Sequence, residues 1–135
     1  MFLIDTNVIS ELRNPRIANS SVLSWAEGVQ AEGWFLSAMT VLELERGTLL
    51  ALRRDESKGM TLRRWLHERI LPEFRTRVLP VDAEVALRCA ALHVPERDAM
   101  IAATAFVHGL TLVTRNTKDF AGCGVPLLNP WLHTA

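Results

Sequence analysis

The chain has 135 residues, which suits one domain with a real core and excludes two ordinary ones. Hydrophobic residues make up 49% and charged residues 22%, the balance of a folded soluble protein rather than a disordered or fibrous one. Fifteen basic and fifteen acidic residues cancel, so net charge alone gives no argument for a nucleic-acid partner. Their distribution is uneven: Arg53, Arg54, Lys58, Arg63, Arg64, Arg69, Arg75 and Arg77 face only Asp55, Glu56, Glu68 and Glu73, leaving that segment at net +4 and the remainder at −4. Such a stretch suits phosphates, or equally a solvated helix face laced with ion pairs. No apolar run reaches the roughly 20 residues of a membrane span. The opening Met1-Phe2-Leu3-Ile4-Asp5 meets an acid too soon for a signal peptide, so a cytoplasmic protein without membrane contact is expected. Cys89 and Cys123 lack metal-ligand spacing and read as buried free thiols.

In chain order, Phe2-Leu3-Ile4 is a short apolar run ending at Asp5-Thr6-Asn7, the pattern of a buried strand. Val22, Trp25, Ala26 and Val29 then recur at helical spacing. Trp34 to Met39, ending at Thr40, forms a second expected strand, followed by a helix carrying Leu42, Gly47, Leu49, Leu50 and Leu52. A helix is predicted from Thr61 to Phe74, a strand over Val78–Val81 and a helix from Asp82 to about His93. Asp98 to His108 is apolar nearly all round, as a helix packed hard against a sheet must be. Leu110–Thr114 and Val125–Leu128 complete five candidate strands. Strands alternating with helices imply an α/β fold, a mostly parallel sheet of about five strands covered on both faces, in one domain over residues 1–135.

In such a sheet the ligand site lies outside the carboxyl ends of the strands. Asp5 directly follows the first strand, Glu43 lies within about one helical turn of the second strand's end, and Asp119 follows the strand ending at Thr114 by one short loop. Asp98 opens a helix that leads into that last strand and so runs antiparallel to it, which brings its first turn to the same edge. Each acid alone has an ordinary explanation in a cap, an Asx turn or a surface charge. Together they pose an electrostatic problem: at about 5 Å and an effective dielectric of 20, each pair repels by roughly 3 kcal/mol. A divalent cation removes that cost, and all-oxygen ligands suit Mg²⁺ or Mn²⁺, which keep waters and accept phosphate oxygens. Metal-assisted phosphodiester hydrolysis is the matching chemistry. No histidine pair, Cys-X-X-Cys, Gly-rich phosphate loop or Ser-centred elbow competes with it. His67, His93, His108 and His133 lack ligand-like spacing.

Three stretches occur in order: Asp5-Thr6-Asn7-Val8-Ile9 after the first strand, Asp98-Ala99-Met100-Ile101-Ala102-Ala103-Thr104-Ala105, and Leu112-Val113-Thr114-Arg115-Asn116-Thr117-Lys118-Asp119-Phe120 leading to Asn129-Pro130-Trp131. With them the chain resembles, over nearly its whole length, the PIN family, and more narrowly the VapC and FitB-like toxins of type II toxin-antitoxin pairs. In Thr40-Val41-Leu42-Glu43-Leu44-Glu45-Arg46-Gly47 the family's Thr, Glu and Gly spacing selects Glu43 over Glu45, which on a helix point about 200° apart. The resemblance implies a PIN-like three-layer α/β/α sandwich. It also implies catalytic, metal-holding Asp5, Glu43, Asp98 and Asp119, supported by Thr6, Asn7, Thr114, Arg115 and Asn116 around carboxylates, metal waters or phosphate. Asn116 stands where relatives often carry another acid, and only His93-Val94-Pro95-Glu96-Arg97 replaces their longer loop before Asp98. The activity implied is a Mg²⁺- or Mn²⁺-dependent endoribonuclease cutting tRNA or ribosomal RNA, homodimeric, and inhibited by a VapB-like antitoxin that lays a helix in an apolar groove. Trp25, Leu62, Trp65 and Phe74 are candidate groove residues, though each reads more readily as an ordinary core residue.

Other readings differ at single positions. A haloacid-dehalogenase-type phosphatase also starts with Asp after its first strand but needs a second Asp where this chain has Asn7. A phospho-receiver domain expects Lys at the end of its last strand, here Leu127-Leu128-Asn129. A stand-alone RNA-processing nuclease or a non-catalytic metal- or phosphate-binding module would share the acids.

Overall fold

A computed structural model describes residues 1–134. β1 (Phe2–Ile4) runs straight into α1 (Thr6–Glu11), and α2 (Ser20–Glu27) follows. A 3₁₀ turn then leads to β2 (Trp34–Ser37) and the long α3 (Ala38–Arg54). Next come α4 (Glu56–Trp65), a π-helical segment (Leu66–Ile70) and the short α5 (Leu71–Glu73). β3 (Val78–Leu79), α6 (Ala83–Ala90), α7 (Glu96–His108), β4 (Thr111–Val113) and β5 (Leu127–Leu128) complete the chain, with 3₁₀ turns at Thr117–Phe120 and Pro130–Leu132. The strands form one sheet in the order β3-β2-β1-β4-β5, parallel at every pairing.

Alternation along the strands builds the two cores. Ile4, Trp34, Leu36 and Val113 point to one face, where Val8 and Ile9 of α1, Val22 and Trp25 of α2, Leu44 of α3, Leu66 and Phe74 close over them. Leu3 and Leu112 point to the other face, against Ile101, Ala102 and Ala105 of α7 with Phe120 and Cys123. The alanines of α7 let its backbone lie close on the sheet, as its apolar sequence requires. The result is the expected α/β/α sandwich. Among the described residues no helix is long and apolar enough to cross a membrane.

Three local expectations need correction. The first is α1, which was not foreseen: Asp5 N-caps it, its Oδ1 accepting from the Thr6 backbone N–H at 2.8 Å. The second strand stops at Ser37 rather than Met39, because the Ser37 hydroxyl caps α3 by accepting from Met39 N–H at 3.0 Å. The helix expected from Thr61 begins earlier, at Glu56, where Asp55 caps it. α3 and α4 then fold back on one another so closely that a Cβ on Gly59 would meet the Leu52 backbone at 2.5 Å, which is why glycine stands there. Of the two thiols, Cys123 is buried and Cys89 only partly so. Burial pushes both above the ordinary thiol range.

Candidate active site

Asp5 lies where β1 ends at the centre of the sheet, flanked by β2 and β4. Its backbone N–H donates to Val113 O at 2.9 Å, locking the residue to β4. Only 7% of its surface is exposed, and its carboxylate accepts solely from neutral donors: Thr6 N–H at 2.8 Å, the Thr114 hydroxyl at 2.7 Å and the Asn7 amide at 3.4 Å. The Thr114 hydroxyl in turn accepts from Asn7 Nδ2 at 3.3 Å and from Asn116 N–H at 3.1 Å. Arg115 N–H donates to Asn7 Oδ1 at 3.2 Å. The polar residues flagged around Asp5 thus form one network that fixes its orientation.

Glu43, in the first turns of α3, is reached from α1, where the Thr6 hydroxyl donates to its Oε1 at 2.8 Å. Its Oε2 faces the Arg97 guanidinium at 3.7 Å. Glu45 turns to the other side, accepting from Thr48 at 2.8 Å and meeting His67 at 2.7 Å and Arg63 at 3.8 Å. Those partners hold its carboxyl below the ordinary range, the Thr48 hydrogen bond foremost. His67 therefore serves α3–α4 packing, as expected of a histidine without ligand spacing.

Asp98 sits in the first turn of α7 and Asp119 in the 3₁₀ turn after β4. Burial pushes Asp98 above the ordinary carboxylate range, and the neighbouring charges of Asp119 and Glu43 push it further, against Arg97. Asp5 is likewise raised, by burial first, with Glu43 and Asp98 adding to it while Thr114 and Thr6 oppose. Asp5 after β1, Glu43 near the start of α3, Asp98 at the start of α7 and Asp119 in the turn after β4 lie toward the same edge of the parallel sheet. Among the described residues neither Asp5, Asp98 nor Asp119 forms an ion pair with Lys or Arg. The edge therefore carries more negative charge than the chain itself offsets, and its donors are all oxygens, which fits Mg²⁺ or Mn²⁺. Among the described residues no three of the His, Cys, Asp and Glu side chains close into a ready-made cage.

Two candidates lie apart from the acids. Arg115 places its guanidinium over the Trp131 ring, 5.0 Å from the centroid, rather than in an ion pair with them. Trp25 belongs to the core, stacked on Trp34 at 5.4 Å, and is no groove residue. Trp65 remains accessible between two cavities, one of about 200 Å³ with Phe74 and Ile70 and one of about 280 Å³ with Leu62, Thr6 and Glu43. Arg97 was passed over in the sequence as part of a shortened loop, although a cation adjacent in sequence to a site acid was the available signal.

Comparison with known proteins gives the family and the fold. The PIN domain family model matches residues 2–122. The chain belongs to the PIN domain family. Toxin FitB of Neisseria gonorrhoeae is 39% identical over 140 aligned positions, covering 97% of this chain and 99% of FitB. VapC ribonuclease Y4jK of Sinorhizobium fredii is 36% identical, covering 97% and 98%. The crystal structure of FitAcB from Neisseria gonorrhoeae superposes with a TM-score of 0.88 at 39% identity, covering 98% of this chain and 99% of that one. The superposition spans the whole parallel sheet and the helices on both of its faces.

Proposed function

We propose that this PIN domain protein, a single domain throughout its length, is the toxin of a type II toxin-antitoxin pair. In this reading it is a divalent-metal-dependent endoribonuclease that hydrolyses phosphodiester bonds of structured RNA such as tRNA or ribosomal RNA. One observation carries the catalytic reading. Asp5, nearly buried, spends both carboxylate oxygens on neutral donors, pairs with no cation of its own, and feels the charges of Glu43 and Asp98. A fold that only needed a cap and a strand end would not gather further acids there, since each adds repulsion. Relatives named as a toxin and as a VapC ribonuclease support the activity class.

Asp5, Glu43, Asp98 and Asp119 would hold Mg²⁺ or Mn²⁺. Bound there, such an ion lowers the pKa of its water and neutralises charge on the phosphate. The chain's own residues do the rest. Thr114, Thr6 and Asn7 hold the Asp5 carboxylate in one orientation, and Thr6 also bridges to Glu43, so two acids from different elements move as a unit. That preorganisation spares the site from reordering its ligands when a substrate arrives. Asn116 steadies Thr114 through its backbone N–H, and Arg115, resting over Trp131, would offer a cation to the RNA backbone.

The partner in this reading is a VapB-like antitoxin, in keeping with the FitA–FitB complex among the solved relatives. The two cavities on either side of Trp65 supply an apolar groove reaching Glu43. Homodimerisation belongs to the same proposal, and the exposed Leu42, Leu49 and Leu50 of α3 are surface that association would cover.

Incubation of purified protein with total tRNA and with ribosomal RNA, in Mg²⁺, Mn²⁺ or EDTA and beside Asp98→Asn, tests the reading. Metal-dependent cutting that the substitution abolishes is the expected result. A folded wild type that binds metal but cuts neither RNA would overturn it in favour of a binding role.

A further inference from the structure

Arg97 is the one cation among the described residues paired with a member of the acidic edge, and its placement is odd in three respects. It occupies the first turn of α7, just before Asp98, where the partial positive charge of the helix end disfavours a cation and no side-chain cap is made. Its contact with Glu43 is long, 3.7 Å to Oε2, with the arginine 50% and the glutamate 25% exposed. Such a pair lacks the two short parallel bonds that make an arginine–carboxylate contact strong, so it is easily exchanged. Finally, Thr6 donates to Oε1, whereas Oε2 accepts no hydrogen bond among the described residues and meets Arg97. Arg97 therefore rests on the Glu43 oxygen that is free of other hydrogen bonds.

We propose that Arg97 is a substrate-binding residue, whose guanidinium leaves Glu43 for an RNA phosphate flanking the scissile bond when a divalent ion is bound at the acids. The inference rests on the nuclease reading above. With Glu43 committed to the ion, Arg97 loses its counter-charge and is repelled by the ion, yet stays at the rim, half-exposed, beside the edge where the phosphate must come. A guanidinium offers a phosphate two parallel donors, which an ammonium does not. A residue that only neutralised spare acids would have no such second partner, and this separates the two roles.

The test uses the full chain as wild type, Arg97→Gln and Arg97→Lys, with equal melting curves confirming that all are folded. Anisotropy of a labelled RNA hairpin in Ca²⁺, over a KCl series, reads affinity and salt slope; Mn²⁺ titration without RNA reads the ion; cleavage in Mn²⁺ separates KM from kcat. For Arg97→Gln we expect RNA binding weaker by about tenfold with a salt slope shallower by about 0.7–0.9, tighter Mn²⁺ binding, and a raised KM with kcat within about twofold. Arg97→Lys should keep the wild-type slope but recover only part of the affinity. Unchanged salt slope and KM in Arg97→Gln, whatever happens to Mn²⁺, would overturn the proposal and leave Arg97 a counter-ion. A wild type that neither binds nor cuts RNA would instead sink the nuclease reading, and this inference with it.

Discussion

Glu43 and Glu45 stand on the same helix, two positions apart, and meet opposite surroundings. Glu43 faces Thr6 of α1, one arginine and the charges of Asp5 and Asp98. Glu45 faces α4 and the π-helical segment, where Thr48, His67 and Arg63 satisfy it. A rotation of about 200° thus separates an acid that shares its surroundings with other carboxylates from one surrounded only by partners. Composition and local charge do not distinguish them; what each lacks or has been given does. Unresolved repulsion marks a site, whereas a settled ion pair marks packing.

The sharpest way to break that comparison is to neutralise each acid in turn. Glu43→Gln should lower RNA cleavage by about two to three orders of magnitude, the loss of one charge that acts in the transition state. Glu45→Gln, measured in the same assay, should stay within about twofold of wild type. Equal losses would mean that α3 serves the site through both of its faces and that partner-counting misjudged them.

Next in size is the junction that holds the Glu45 face in place. Gly59→Val would drive a branched side chain into the Leu52 backbone, since even a Cβ meets it at 2.5 Å. Backbone cannot rotate away as a side chain does, so a loss of about 3 kcal/mol or more is expected in urea unfolding. If α4 simply rides outward at little cost, the α3–α4 contact is looser than its geometry implies.

How far these features were legible follows the same division. The five strands, their parallel direction and α7 could be read because each rests on a strong pattern, an apolar run bounded by polar or turn residues. α1 could not, because Thr6-Asn7-Val8-Ile9-Ser10 is built from weak helix formers; only tertiary packing of Val8 and Ile9 and the Asp5 cap stabilise it. The π-helical turn at Leu66–Ile70 has no local signature, and it arises where α4 must bury Leu66 and settle His67 against α3. The Thr6–Glu43 bridge joins residues far apart in sequence, and only the folded chain reveals it.

Of intermediate size is the effect of charge on the site's own stability. Asp98 is raised above its ordinary range, so the folded, metal-free protein binds that proton more tightly than the unfolded chain does. Its contribution is favourable below the unfolded value and is lost as pH rises through the folded one. At neutral pH the ionised Asp98 therefore opposes folding, and Asp98→Asn should raise the metal-free Tm while abolishing cleavage. The same raised values mean that protons compete with Mn²⁺ at a higher pH than ordinary carboxylates would allow. Calorimetric titration should show Mn²⁺ affinity falling as pH drops from neutral, and less steeply in the variant. A lowered Tm would mean that Asp98 stabilises the first turn of α7 more than its neighbours disturb it.

Smallest is the effect of Glu45→Gln on stability, where the sign runs the other way. Glu45 is held below its ordinary range, first by Thr48 and then by His67 and Arg63, so its contribution is present above the unfolded value and lost as pH falls through the folded one. The pair is partly exposed, hence worth less than about 1 kcal/mol. At neutral pH the variant should melt slightly below wild type, and the gap should close on acidification into the carboxylate range. A gap that persists in acid would assign the loss to the Thr48 hydrogen bond, which a neutral side chain can keep only in part, rather than to charge.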